Sequence, residues 1–134
     1  EKKDHVLMRG FDEVFYCPDS RHTEGRGEDI RKIADLEVLA DSTGAGPHII
    51  ADQSGRRIFL TGHFEYDADS LAKEYYRDLE KGLPIQLPYG YFPEDNPNQK
   101  PPMRWKAHAN LFYSNWLNYF VYQQTPYNIQ DIHA

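Results

Sequence analysis

The sequence predicts an α/β fold: an antiparallel meander followed by two main helices. Three observations carry this. Three short stretches rich in β-branched and large apolar residues, 36–40, 48–51 and 57–60, are separated by glycine- and proline-bearing connections. A helical stripe then runs toward Gly82, and a long aromatic segment over 105–123 has helical spacing. Between these two, residues 83–102 hold six of the nine prolines, so that stretch reads as an irregular excursion.

Taken in chain order, residues 5–15 alternate loosely. Pro18, Gly25 and Gly27 then make FYCPDSRHTEGRGED a loop, and 28–33 has room for one helical turn. DSTGAGP and DQSGR read as hairpin turns, so the meander ends at Thr61-Gly62. In the first helix Asp67 or Asp69 is the expected N-cap and Gly82 the stop. Leu71, Tyr75, Asp78 and Leu79 form its buried stripe, with Ser70, Glu74 and Arg77 on the neighbouring flank. In the second helix Leu111, Phe112, Trp116, Tyr119 and Phe120 make a broad apolar face, and Pro126 is the expected end. That face reads as core or as a dimer surface rather than a ligand cage. A frayed tail over 127–134 is expected.

Size and charge narrow the function. At 134 residues, with 40% hydrophobic and 27% charged, the chain makes one core-bearing domain and is not disordered. The formal charge of −6 argues against nucleic acid as a partner, because a phosphate binder carries basic excess. No apolar run nears the roughly 20 residues of a membrane span, and EKKDHVLMRG has no signal-peptide core, so no membrane partner is expected. A single cysteine, Cys17, fits a reducing, cytoplasmic setting. The start at Glu1 suggests a fragment or a processed product.

The sharpest chemical signal is Gly62-His63-Phe64-Glu65, after a strand and before a helix. Residues at i and i+2 on extended backbone point the same way, so His63 and Glu65 converge. A carboxylate on one imidazole nitrogen fixes the tautomer and raises the basicity of the other, which is half of a nucleophilic triad. Taken alone, His-x-Glu is weak, and an exposed strand-end pair with no role is the favoured reading. Arg77 offers a forked cation suited to a carboxylate, but it also reads as a solvated helix-face charge paired with Glu74. His5, His22, His48, His108 and His133 lack zinc-site spacing, so no metal is expected. Lys2-Lys3 and Arg56-Arg57 read as solvated pairs.

The chain resembles the homoserine O-acyltransferases of methionine biosynthesis, usually called homoserine O-succinyltransferases. The residues that carry the resemblance are RGFDE (9–13), PDSRHTE (18–24), DLEVLA (35–40), TGHFEYDADSLAKEYYRD (61–78) and LPYGYFPEDNPNQKPPMRWKAHANLFYSNWLNYFVYQQTPY (87–127). It implies that residues 1–134 are the C-terminal portion of an acyltransferase domain. The implied fold is the C-terminal part of a class I glutamine amidotransferase-like, flavodoxin-type domain. The N-terminal half, with its parallel sheet and nucleophilic cysteine, is absent.

By the same resemblance His63 matches the catalytic histidine and Glu65 the carboxylate orienting it. Arg77 matches the arginine gripping the acceptor's carboxylate, and Ser20 a serine of the active-site loop. Glu74 would steady the Arg77 fork or engage the acceptor's ammonium group. The implied reaction moves an acyl group from acetyl-CoA or succinyl-CoA to L-homoserine through a thioester. Acyl-CoA is a co-substrate, and no cofactor is implied. A homodimer, or pairing with the missing half, is expected. Cys17 does not match the nucleophile; it has no glycine-flanked elbow and reads as a small packed residue. Two rivals stay open: a non-catalytic C-terminal fragment, and a related amidotransferase-like hydrolase.

Overall fold

The computed structural model describes residues 4–21, 23, 25–124, 126 and 128–131. Expectations for Lys2-Lys3, His22, His133 and half of the tail (127 and 132–134) lie outside the described residues. A short 3-10 turn, Val6–Met8, opens the chain, and α1 is a single turn, Gly27–Ile30. Next come β1 (Leu36–Ser42), β2 (Gly46–Asp52) and β3 (Ile58–Leu60). Two longer helices follow, α2 (Ser70–Glu80) and α3 (Lys106–Trp116), and a 3-10 turn, Ile129–Asp131, stands in the tail expected to be frayed.

The strands form one antiparallel sheet in the order β1-β2-β3, so the meander is as expected. β1 and β2 outrun the predicted stretches because their turns supply extra pairs, Ser42 with Gly46 and Leu36 with Asp52. The register of β1 shifts between Val38 and Asp41. β3 is shorter than predicted. The Arg57 carbonyl still accepts from the Asp52 amide at 2.9 Å, but the Arg57 amide bonds the Asp52 side chain instead of its carbonyl, and Arg57 Nε donates to Asp52 Oδ2 at 2.8 Å. Asp52 Oδ1 accepts from the Arg56 and Arg57 amides, closing the second hairpin. These bonds, the Arg57 contact first, hold the Asp52 carboxyl far below the ordinary carboxylate range. Among the described residues no parallel strand pair is present.

β2 sits in the middle and is buried from Pro47 to Asp52. Leu39, Ile49, Phe64, Leu71, Trp105 and Phe112 join it in one core, with Leu7 from the opening turn fully enclosed. Asn115 on α3 is buried and donates to the carbonyls of Leu7 and Arg9 at 3.0 and 2.8 Å. A buried amide with both donors satisfied fixes the chain's start against its last long helix.

α2 departs from expectation at its start. Asp69 holds the N-cap position, but its carboxylate bonds Lys73 at 2.8 Å rather than a backbone amide. Ser70 Oγ instead accepts from the Asp67 amide. Its end is as predicted. Gly82, at φ +69°, donates to the Leu79 carbonyl while Leu83 donates to Asp78, a paired C-terminal closure open to glycine at little steric cost. The stripe is shorter than predicted: Leu71 is buried and Tyr75 half-buried, but Leu79 is exposed, because the helix runs out past the core.

The second predicted helix is two segments. α3 stops at Trp116, and Leu117–Tyr122 continues as a π-helix capped by Gln123, whose amide donates to Asn118. The helical region therefore ends at Tyr122, four residues before Pro126 and close to the predicted end at 123. The predicted apolar face divides within α3 itself, and five-residue hydrogen bonding shifts the side-chain phase only after it. Phe112 is buried and Phe120 packs on the core, whereas Trp116 is exposed.

Candidate active site

The segment after β3 is stitched to two neighbours by its backbone. Thr61 donates from its amide to the His48 carbonyl and from its hydroxyl to the Pro47 carbonyl. The Gly62 amide donates to His48 Nδ1 at 3.2 Å, and the His63 amide to the Pro18 carbonyl at 2.7 Å. Position 62 has no space for a side chain. A Cβ there would lie 2.8 Å from the Pro18 carbonyl oxygen and 2.9 Å from Cys17 Sγ. Glycine therefore lets β2 and the 17–19 loop close on either side of the segment.

His63 and Glu65 meet as expected but not by the expected route. The backbone turns here, with the Tyr66 amide donating to the His63 carbonyl at 3.3 Å, rather than running extended. Within that turn His63 Nδ1 lies 2.7 Å from Glu65 Oε1. Burial acts to raise the Glu65 pKa, but the His63 hydrogen bond and charge outweigh it, and the carboxyl is held below its usual value. A carboxylate accepts only, so this pairing assigns the proton to Nδ1 and leaves Nε2 as the basic nitrogen.

Ser20 and Glu74 are brought together. Ser20 Oγ donates to Glu74 Oε2 at 2.6 Å, and Tyr66 Oη donates to Glu74 Oε1 at 2.6 Å. Both carboxylate oxygens are thereby engaged. Burial pushes the Glu74 carboxyl up, but these two bonds with the Arg77 and His63 charges hold it low. Burial first, and then the Glu74 contact, push the Tyr66 hydroxyl up to about 12. The Tyr66 ring stacks on the His63 imidazole, centroids 4.3 Å apart and planes 14° from parallel.

Arg77 is not paired with Glu74. Its Nε and Nη2 donate to Asp78 Oδ1 and Oδ2 at 2.7 and 2.9 Å, so the next residue along the helix, not the one a turn back, holds the fork. Side-on engagement leaves the Nη1 edge pointing away from Asp78. The Arg77 side chain remains more than half exposed.

Cys17 is half-buried beside Gly62, and its thiol is pushed up to about 12 by burial and by the Asp19 charge. Such a thiol is protonated at neutral pH, as expected of a packing residue. A cleft of about 620 Å³ is lined by Cys17, Asp19, His48, Gly62, Arg104 and Trp105, among others. It touches the site through the 17–19 loop and Gly62, and the His63 ring is outside it.

Sequence reasoning missed Tyr66, His48 and Asp78 as parts of this site. Tyr66 lies three residues past His63, a spacing that is informative only once a turn is known. His48 comes from the middle of β2, where a histidine reads as one more strand residue.

Residues 1–127 match the family model described as homoserine O-succinyltransferase. The chain belongs to the homoserine O-succinyltransferase family. Several curated relatives carry the acetyl name. A homoserine O-acetyltransferase of Geobacillus kaustophilus is 58% identical over 127 residues, 95% of this chain and 42% of that protein. That of Bacteroides thetaiotaomicron is 56% identical over 128 residues, 96% of this chain and 42% of the relative. That of Acetivibrio thermocellus is 51% identical over 131 residues, 98% and 43% respectively. The chain thus spans about two-fifths of the length of these relatives. Among the described residues no helix is long and apolar enough to cross a membrane.

Proposed function

We propose that this chain supplies the base half of a homoserine O-acyltransferase, with the cysteine nucleophile provided by sequence outside it. The observation that carries this is the 2.7 Å His63–Glu65 pair, built on a backbone tied to two separate segments. His63 Nε2 takes the thiol proton, and the thiolate attacks the acyl-CoA carbonyl. CoA leaves with a proton returned by the imidazolium, and a thioester remains. His63 then takes the γ-hydroxyl proton of homoserine as that oxygen attacks the thioester, and the C–S bond breaks as the imidazolium returns the proton to the departing cysteine thiolate. Glu65 stabilises the imidazolium at both steps.

Arg77 anchors the acceptor's carboxylate by the edge that Asp78 leaves open. Glu74, whose oxygens are both taken, orders Ser20 and Tyr66 rather than meeting the ammonium group. The relatives' names favour acetyl-CoA as donor. The amidotransferase-like, flavodoxin-type domain is completed by the N-terminal half, which brings the parallel sheet, and the complete protein is a cytoplasmic homodimer.

The test is Glu65→Gln in the full-length protein that carries this segment, followed by CoA release from acetyl-CoA and homoserine. The change removes the charge that stabilises the imidazolium. The comparable loss in a serine triad costs about 10⁴ in rate. A loss below tenfold, with the fold intact, would make the pair structural and return the site to an idle surface contact.

A further inference from the structure

We propose that Tyr66 is a positioning residue for His63, its ring setting the roll of the imidazole and its hydroxyl tying that setting, through Glu74, to Ser20. The inference rests on the catalytic reading of His63. One hydrogen bond, Nδ1 to Glu65, restrains the imidazole but tolerates some misalignment, so the ring still rocks about its Cβ–Cγ bond. Nε2 sweeps an arc when it does. An aromatic face 4.3 Å away and 14° from parallel removes that freedom, because rocking drives the imidazole edge into the ring.

Tyr66 can serve as a platform only if it is itself held, and it is held at both ends. Its carbonyl accepts from Trp105 Nε1 at 2.9 Å, and Trp105 is a buried core residue. Its hydroxyl donates to Glu74 at 2.6 Å, and the other Glu74 oxygen accepts from Ser20 at 2.6 Å. The order Ser20–Glu74–Tyr66–His63 runs from the loop to the base through three direct contacts. The charged and titratable groups whose fields meet at His63 are Glu65, Asp19, Glu74 and His48, with Cys17 beside its amide. None of these faces the imidazole as a stacked plane; Tyr66 alone does so among the described aromatic contacts.

The experiment compares Tyr66→Leu, Tyr66→Phe and His63→Asn in the full-length protein that carries this segment. It measures thioester formation from acetyl-CoA, transfer to homoserine, and the NMR shifts of the carbon-bound His63 protons. Misplacing a reacting group by about 1 Å costs on the order of a hundredfold. Tyr66→Leu is expected to lower kcat about ten- to a hundredfold in both half-reactions with KM for either substrate little changed. It should also abolish the upfield ring-current shift of the His63 protons. Tyr66→Phe keeps the face but loses the Glu74 tie, so it should preserve that shift and show a kcat between wild type and the leucine variant, which covers the case in which the leucine variant fails to fold. Wild-type kcat in Tyr66→Leu, phenylalanine as damaging as leucine, or a loss carried by KM overturns the proposal. Retained activity in His63→Asn sinks the catalytic reading and this proposal with it. Loss there with none in Tyr66→Leu sinks the proposal alone.

Discussion

The Gly62 amide donates to Nδ1 of the buried His48 at 3.2 Å, so an uncharged imidazole in the central strand holds the backbone one residue ahead of His63. Burial first, then the Arg21 and His63 charges, lower the His48 pKa to about 4. The sign follows from proton counts. Between pH 6.5 and about 4 the unfolded chain binds a proton at this site that the folded chain does not, so stability falls as pH falls across that window. About 2.5 pH units at 1.36 kcal/mol each gives a loss on the order of 3 kcal/mol. Denaturant melts from pH 7 to 4 should show it. His48→Asn, which places an amide oxygen near the Nδ1 position, should be less stable at pH 7 but should lose less between pH 6.5 and 4.5. An equal pH slope in both proteins would assign the acid sensitivity to other groups.

Gly62 gives a second, independent handle on the same junction. Alanine there meets the Pro18 carbonyl and Cys17 Sγ inside 3.0 Å, and the nearest of these atoms is backbone, which cannot swing aside. Overpacking of this kind costs about 1–3 kcal/mol. Gly62→Ala should therefore lower the melting temperature by several degrees and weaken the His63 amide bond to Pro18. The check is a thermal melt with amide exchange at His63, where faster exchange is expected. Unchanged stability would mean that the 17–19 loop yields freely.

Cys17 should be inert. With its thiol pushed from 9.0 to about 12, the thiolate fraction near pH 8 falls roughly a thousandfold. Alkylation by iodoacetamide should be slow in the folded chain and become fast in denaturant. For the same reason the 134-residue chain alone should release no CoA from acetyl-CoA. A CoA burst abolished by Cys17→Ala would make this cysteine the nucleophile.

Much of this was legible in the sequence wherever the signal is local. The hairpins follow from turn residues, the end of α2 from Gly82, and the His63–Glu65 pair from adjacency. What stayed hidden depends on which segments meet. Extended alternation gives the right partner for His63 through the wrong geometry, since the turn is set by bonds to Pro18 and His48, both far along the chain. Glu74 looked available to Arg77 because helical spacing counts only neighbours on the same helix. Its actual partners come from the 18–21 loop and the turn before α2. The π-helical segment has no sequence signature in the aromatic run, so one continuous helix was expected where two segments occur.

The last prediction separates an anchoring Arg77 from a decorative one. Asp78 grips the Nε–Nη2 side of the guanidinium in a two-bond contact, and its own side chain is largely covered. A clamp of that form fixes the plane of the guanidinium and presents the opposite edge outward. If that edge takes the acceptor's carboxylate, Arg77→Ala in the full-length protein should lower kcat/KM for homoserine by roughly thirty- to a thousandfold. Thioester formation from acetyl-CoA should be nearly unchanged. Arg77→Lys keeps the charge without the fork and should recover only part of the loss. Asp78→Asn leaves the cation intact but loosens its plane, so a smaller loss, about three- to tenfold and again confined to the acceptor, is expected. Steady-state and single-turnover assays with acceptor varied resolve the two half-reactions. Equal damage to both would point to a disturbed α2, and no damage to either would leave Arg77 as a surface partner of Asp78.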